Sequence, residues 1–128
     1  MTIILFKMKK NHLKTGAAGE ELAVAYLQEK DYLILERNWR CKHFEIDIIA
    51  SHQNILVFVE VKTRNSLAFG FPEESISKLK MKRLKLAATI YHFKHPHFKR
   101  IQFNVIAILM QLNKPASIEM FEDVYFLN

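Results

Sequence analysis

Two apolar runs, at 44–50 and 55–62, stand on either side of the polar tetrad Ser51-His52-Gln53-Asn54. Each has strand length and β-branched content, and turn-forming residues separate them, so the pattern predicts a hairpin over 44–62. With Ala50 set opposite Ile55, Glu45 falls across from Glu60 and Asp47 across from Phe58; tightening the turn to His52-Gln53 keeps that pairing. Strand side chains alternate between faces, so Glu45, Asp47, Glu60 and Lys62 share one face. Ile46, Ile48, Ile55, Val57, Val59 and Val61 lie on the other, while Ile49, Leu56 and Phe58 accompany the charges. Apolar residues on both faces mark a hairpin covered on both sides.

The covering elements are legible in the flanks. Upstream, 14–30 reads as a helix, with Leu22, Ala23, Tyr26 and Leu27 as its packing stripe. Glu20 lies on or beside that stripe. It is placed either to point towards the sheet or to interact with the helix amino terminus. Asp31-Tyr32 ends the helix, 33–39 reads as a first strand and 40–43 as a connector. Downstream, Gly70 and Pro72 mark an irregular loop leaving the charged end of the hairpin. A second helix is expected from Glu73 to about Phe93, with Ile76, Leu79, Leu86, Ala87 and Ile90 as its apolar stripe. Lys78, Lys82 and Lys85 form a basic stripe on the opposite side. Lys80 sits at the apolar edge, placed to reach back to the sheet or to snorkel to water. A fourth strand follows at 101–111, and a last strand or strand pair at 117–127. Its segment 106–110 suits a core or an interface. Helix, three strands, helix, strand is the order of an α/β protein with a mixed sheet flanked by helices.

Composition narrows the class. The 128 residues suit one domain over 1–128, half of them hydrophobic and a quarter charged. The lone Cys41 leaves no internal disulfide and no cysteine-rich zinc site, which is compatible with the cytoplasm, the expected location. The initial apolar run is too short for a signal peptide, and its lysines follow it rather than precede it. Met8-Lys9-Lys10 reads as an alternative start, which makes the residues before it an extension, and 1–13 is expected as a flexible amino-terminal extension of the domain. No segment approaches the ~18 apolar residues of a membrane span, so no membrane partner is expected. The net charge of +6 is uneven: 75–118 holds no Asp or Glu but contains Lys78, Lys80, Lys82, Arg83, Lys85, Lys94, Lys99, Arg100 and Lys114. Such a block suits a polyanionic partner, nucleic acid first, or else a solvated helix face.

The hairpin's acids raise a chemical question. Three carboxylates on one face repel one another, and one lysine does not balance them. They are stable together when exposed, when some are protonated, or when a cation sits among them. A divalent metal held by Asp47 and Glu60 meets that need; the polar face of an ordinary amphipathic hairpin is the plainer account. His92 and His95, three apart, lack an evident third ligand.

Gly16-x-x-Gly19-Glu20, Ala23, Tyr26-Leu27, Asn38-x-Arg40, Glu45-Ile46-Asp47, Phe58-Val59-Glu60-Val61-Lys62-Thr63-Arg64, Phe69-Gly70 and Lys80 together resemble the YraN-like family of predicted endonucleases. The likeness spans 16–91. Family members are similar to Holliday junction resolvases and share the restriction-endonuclease-like fold, whose αβββαβ core matches the order read above. The resemblance implies that Asp47, Glu60 and the Val61 carbonyl hold Mg²⁺ or Mn²⁺. It implies that Lys62 orients water or stabilises charge on the scissile phosphate, that Glu20 completes the site, and that Arg64 and Lys80 contact phosphates. Hard oxygen ligands suit those metals, and a metal with a lysine suits phosphodiester cleavage. The expected function is therefore metal-dependent endonucleolytic cleavage of DNA, branched DNA first among substrates. A homodimer is expected by analogy. The alternatives are a non-catalytic DNA-binding module of the same fold and an interaction protein without a nucleic-acid role. Two positions depart from the family's usual pattern: Phe44 stands in place of glycine and Asn104 in place of aspartate.

Overall fold

The structure, a computed structural model, describes residues 2–4, 15–65 and 78–124. In chain order these hold β1 (Thr2–Ile4), α1 (Thr15–Glu29), β2 (Leu33–Cys41), β3 (Phe44–His52), β4 (Ile55–Arg64), α2 (Lys78–Lys94), β5 (Arg100–Leu109) and β6 (Ala116–Phe121). The strands form one open sheet in the order β1-β6-β5-β4-β3-β2. Only β4 and β5 run parallel, joined by the crossover that contains α2; every other neighbouring pair is antiparallel. This is a mixed α/β sheet with a helix on each face. Part of the expected amino-terminal extension belongs to it, since Thr2–Ile4 pairs with β6. The start of the second helix, 73–77, and the loop through Gly70 and Pro72 lie outside the described residues.

The central hairpin forms with a register different from the expected one. Its turn is Gln53-Asn54, with φ of 51° and 65°. A two-residue turn with positive φ at both positions follows the strand twist, and asparagine tolerates that conformation. Ala50 therefore pairs with Val57, and His52 with Ile55. A shift of two residues leaves each side chain on its face but changes which residues meet. One step past the last pair, Ile48 with Val59, Asp47 comes level with Glu60. Glu45 lies beyond them.

Packing follows the two faces. On one side α1 buries Leu22, Ala23, Tyr26 and Leu27 against Ile48, Ala50, Val57, Val59, Ile106 and Ile108. On the other, α2 covers Ile49, Leu56, Phe58 and Phe103. Ile46 packs with this second group rather than the first. Its neighbour Asp47 lies opposite Asn38, whose φ of 51° breaks the regular pleat. The β2–β3 connector is also tighter than expected: Cys41 pairs with Phe44, leaving only Lys42-His43 as the turn. Helix α1 stops by a Schellman arrangement. Tyr32 N–H reaches the Leu27 carbonyl, Asp31 N–H reaches that of Gln28, and Asp31 has φ 66°.

Helix α2 is rotated from the expected orientation. Its buried residues are Leu84, Ala87, Ala88 and Tyr91, whereas Leu79 and Leu86 are 58% and 51% exposed. Two alanines let the helix approach closely. Tyr91 then sets its ring edge-on to Trp39 and Phe58, at centroid distances of 5.3 and 6.1 Å. Shape, rather than the hydrophobicity of single side chains, selects the face.

Helix α1 meets β4 at one tight point. A Cβ on Gly19 would lie 2.0 Å from Thr63 Oγ1, 3.1 Å from its Cβ and 3.3 Å from its Cγ2. However the threonine is turned, its Cβ stays 3.1 Å away. Gly19→Ala gains ~1 kcal/mol of helix propensity, but overpacking costs about 1–3 kcal/mol. Thermal unfolding should register a net fall in Tm, partly restored by adding Thr63→Ala; an unchanged or higher Tm would show that the contact yields.

Candidate functional site

The site lies where β3 and β4 part. Beyond Ile48 and Val59 the two strands no longer pair, and the N–H of Val61 donates to Asp47 Oδ2 at 2.8 Å. The Asp47 side chain thus takes the place of a backbone acceptor and is fixed beside β4. Glu60, one residue earlier on β4, is only 7% exposed. Buried carboxylates need compensating partners, and Glu60 has two. Lys62 Nζ is 3.5 Å from its Oε1, and Lys80 Nζ, arriving from α2, bonds to the same oxygen. Of the two positions open to Lys80 from sequence, it takes the one facing the sheet.

The electrostatics follow from this crowding. Burial, then the Glu60 charge, push the Asp47 carboxyl up to about 7, against the Val61 hydrogen bond that lowers it. Glu20 adds to the rise. Burial and then Lys80 lower the Lys62 amine. Burial also acts to lower Lys80, but its contact with Glu60 outweighs this and the net shift is upward.

The remaining expected residues divide. Glu20 accepts a hydrogen bond from Asn38 Nδ2 at 3.2 Å, which holds the α1 carboxylate over the strand opposite Asp47. Its neighbour Glu21 instead pairs with Arg37 at 2.7 Å. Glu45 is exposed and pairs with Arg40 at 3.4 Å, so it stands at the mouth rather than in the acidic cluster. Arg64 alternates onto the same face of β4 as Glu60 and Lys62. Lys78, Lys82 and Lys85 are exposed along α2, away from the cluster. The two histidines spaced by three are engaged elsewhere: His92, in the last turn of α2, contacts the Phe98 carbonyl, and His95, just past its end, contacts that of Tyr91.

A cleft of about 370 Å³ opens over the carboxylates, lined by Phe44, Asp47, Glu60, Leu79, Lys80 and Arg83 among others. Arg83 was not expected there. Its signal is the spacing of three from Lys80, which puts both cations on neighbouring turns of one helix face. Phe44 forms part of the wall and packs against the α2 cluster. Asn104 lies on the other side of the sheet. It is 1% exposed, accepts from Gln102 at 3.0 Å and from the Asp123 N–H at 3.3 Å, and contacts Met120. Its neighbours Tyr32 and Met120 belong to the α1 side. The amide therefore serves the fold and does not touch the acidic cluster.

Metal ions suit part of this arrangement. Asp47 and Glu60 offer hard oxygen donors whose mutual repulsion a divalent cation relieves. Among the described residues, no group of three His, Cys, Asp or Glu is drawn together tightly enough to hold a metal unaided.

An open mixed sheet between two helices, with paired carboxylates and lysines at the parting of its central strands, defines an α/β protein with a candidate polar centre. The chain belongs to the uncharacterised protein family UPF0102, whose model matches residues 19–108. A UPF0102 protein of Flavobacterium psychrophilum is 43% identical over 115 residues, covering 90% of this chain and 96% of the relative. One of Rhodococcus opacus is 39% identical over 116 residues, covering 90% and 98%. One of Bacteroides thetaiotaomicron is 46% identical over 98 residues, covering 77% and 81%. Among the described residues, no helix is long and apolar enough to cross a membrane.

Proposed function

We propose that this protein is a metal-dependent endodeoxyribonuclease of the YraN-like, restriction-endonuclease-like class, acting in the cytoplasm on DNA and preferentially on branched DNA. The observation that carries the reading is the meeting of Asp47 and Glu60 where β3 and β4 part, with Lys62 beside Glu60. The element order supports it: α1, three antiparallel strands, a crossover with α2, then a parallel strand.

Asp47, Glu60 and the Val61 carbonyl would hold Mg²⁺ or Mn²⁺, which when bound supplies Lewis-acid stabilisation and an activated water. Lys62 would orient a water and face the charge that grows on the phosphate. Glu20 completes the acidic wall from α1. Lys80 and Arg83 meet phosphates in the cleft, Arg64 meets them from the end of β4, and Lys78, Lys82 and Lys85 extend the contact along α2 by charge alone. By analogy with resolvases, two copies act together, one on each strand.

The test is cleavage of a four-way junction, a flap, linear duplex and single-stranded DNA with Mg²⁺ or Mn²⁺. Structure-selective, metal-dependent cutting supports the reading; no cutting of any substrate by folded protein contradicts it. The basic stripe has its own test. Replacing Lys78, Lys82 and Lys85 together by alanine should reduce the slope of log K against log salt by about 2–3, at roughly 0.9 per phosphate contact. An unchanged slope would remove α2 from the interface.

A second reading, a non-catalytic DNA-binding module, draws on the lack of a third close ligand among the described residues. It predicts salt-dependent binding with no metal-dependent cutting.

A further inference from the structure

Glu60 Oε1 carries two cations, Lys62 from its own strand and Lys80 from α2, twenty residues further along. Within the carboxylate pair both ion pairs fall on Glu60, while Asp47 is held by the Val61 N–H. A divalent ion shared by the two carboxylates therefore meets an ammonium already seated on one of its donors. That oxygen already holds two ammoniums, and a divalent ion would bring two further positive charges to contact distance, so a lysine must leave.

The two lysines are placed differently. The Lys62 side chain is 24% exposed and its position is set by β4, two residues from Glu60. The Lys80 side chain is 41% exposed and lines the open cleft beside Arg83. Lys80 is carried by α2 and not by the sheet, so a turn of its side chain within the cleft leaves β4 in place.

We propose that Lys80 is a placeholder cation: it neutralises Glu60 in the metal-free protein, is displaced when a divalent ion enters, and is then free to meet a phosphate in the cleft. The proposal rests on the nuclease reading above and makes Lys80 a positioning residue that couples metal entry to the cationic lining. A buried carboxylate left without a cation destabilises a fold, so the placeholder keeps the empty site folded. Competition with the ion is the consequence.

Mn²⁺ binding to the full chain, without DNA, tests this. Free Mn²⁺ would be followed by electron paramagnetic resonance for the wild type, Lys80→Met, Lys80→Gln and Glu60→Gln. Circular dichroism would verify folding, and Lys80→Gln retains a neutral donor towards Glu60 should the methionine variant not fold. Lys80→Met and Lys80→Gln should bind Mn²⁺ about tenfold more tightly than the wild type, as removal of a competing contact charge warrants. Glu60→Gln should lose that binding. A lysine with a merely structural role would weaken the site when removed, so the sign of the change discriminates. Unchanged or weaker binding in the folded Lys80 variants, with Glu60 still required, overturns the placeholder and leaves the metal site standing. Absence of Glu60-dependent binding in all folded variants overturns both.

Discussion

Lys62→Ala is expected to lower single-turnover cleavage by about 10²–10³-fold, the usual cost of removing one positioned donor from a charge-stabilising site. Its DNA affinity should change by less than tenfold, because one exposed or half-buried cation is a small share of the basic surface. Lys62 extends from the same face of β4 as Glu60, and its ammonium lies 3.5 Å from Glu60 Oε1. Burial and the neighbouring Lys80 make it a readier proton donor than an ordinary lysine. Rates measured at saturating protein on a labelled four-way junction separate chemistry from binding. Equal losses in binding and cleavage would make Lys62 a docking residue, and unchanged cleavage would remove it from the site.

Asp47→Asn is expected to stabilise the protein at neutral and alkaline pH while abolishing metal-dependent cutting. The Asp47 carboxyl titrates near 7 in the folded chain against an ordinary 3.8. Below the lower value both folded and unfolded chains hold the proton and the group contributes nothing to pH dependence. As pH rises between the two values, the unfolded chain ionises while the folded chain keeps its proton, so stability falls. Above about 7 the penalty is complete, on the order of 2–4 kcal/mol. Asparagine has no charge to lose, and its carbonyl can still accept from the Val61 N–H. Urea unfolding at pH 4 and pH 8 should show the variant's advantage only at the higher pH. A variant less stable than the wild type at pH 8 would show that the ionised carboxylate stabilises the fold. The same cost of holding Asp47 beside Glu60 in the absence of metal gives Mn²⁺ a stabilising effect on the wild type.

What the sequence carried was the face, and what it could not carry was the neighbour. Period-two alternation put Asp47, Glu60 and Lys62 on one side of the hairpin whatever the turn, because any even shift conserves it. The choice between Ser51-His52-Gln53-Asn54 as a loop and Gln53-Asn54 as a tight turn depends on positive φ at both residues, which composition does not reveal. That choice brings Asp47, rather than Glu45, level with Glu60. Helix α1 was readable because its stripe is made of large apolar residues. Helix α2 was misoriented because the sheet accepted Ala87, Ala88 and Tyr91 in preference to Leu79 and Leu86. Hydrophobicity ranks leucine above alanine, but close approach to Phe58 and Trp39 requires the small residues. Lys80 and Arg83 then enter the cleft together; Lys80 stood out at the apolar edge, whereas the spacing of three that ties Arg83 to it marked no cleft until the helix was turned. Asn104 shows the opposite case. The departure from the family's usual aspartate falls on a residue that faces the α1 side and hydrogen-bonds there, away from the acidic cluster.

The most direct test of the central claim, that Asp47 and Glu60 form the metal-dependent cleavage centre, is Mn²⁺-dependent cutting of one end-labelled four-way junction by wild type and Asp47→Asn side by side. The account predicts cutting by the wild type that requires the metal, and none by a variant that is folded and still binds the junction. Equal cutting by both, or no cutting by a wild type that binds the junction in Mn²⁺, would contradict it.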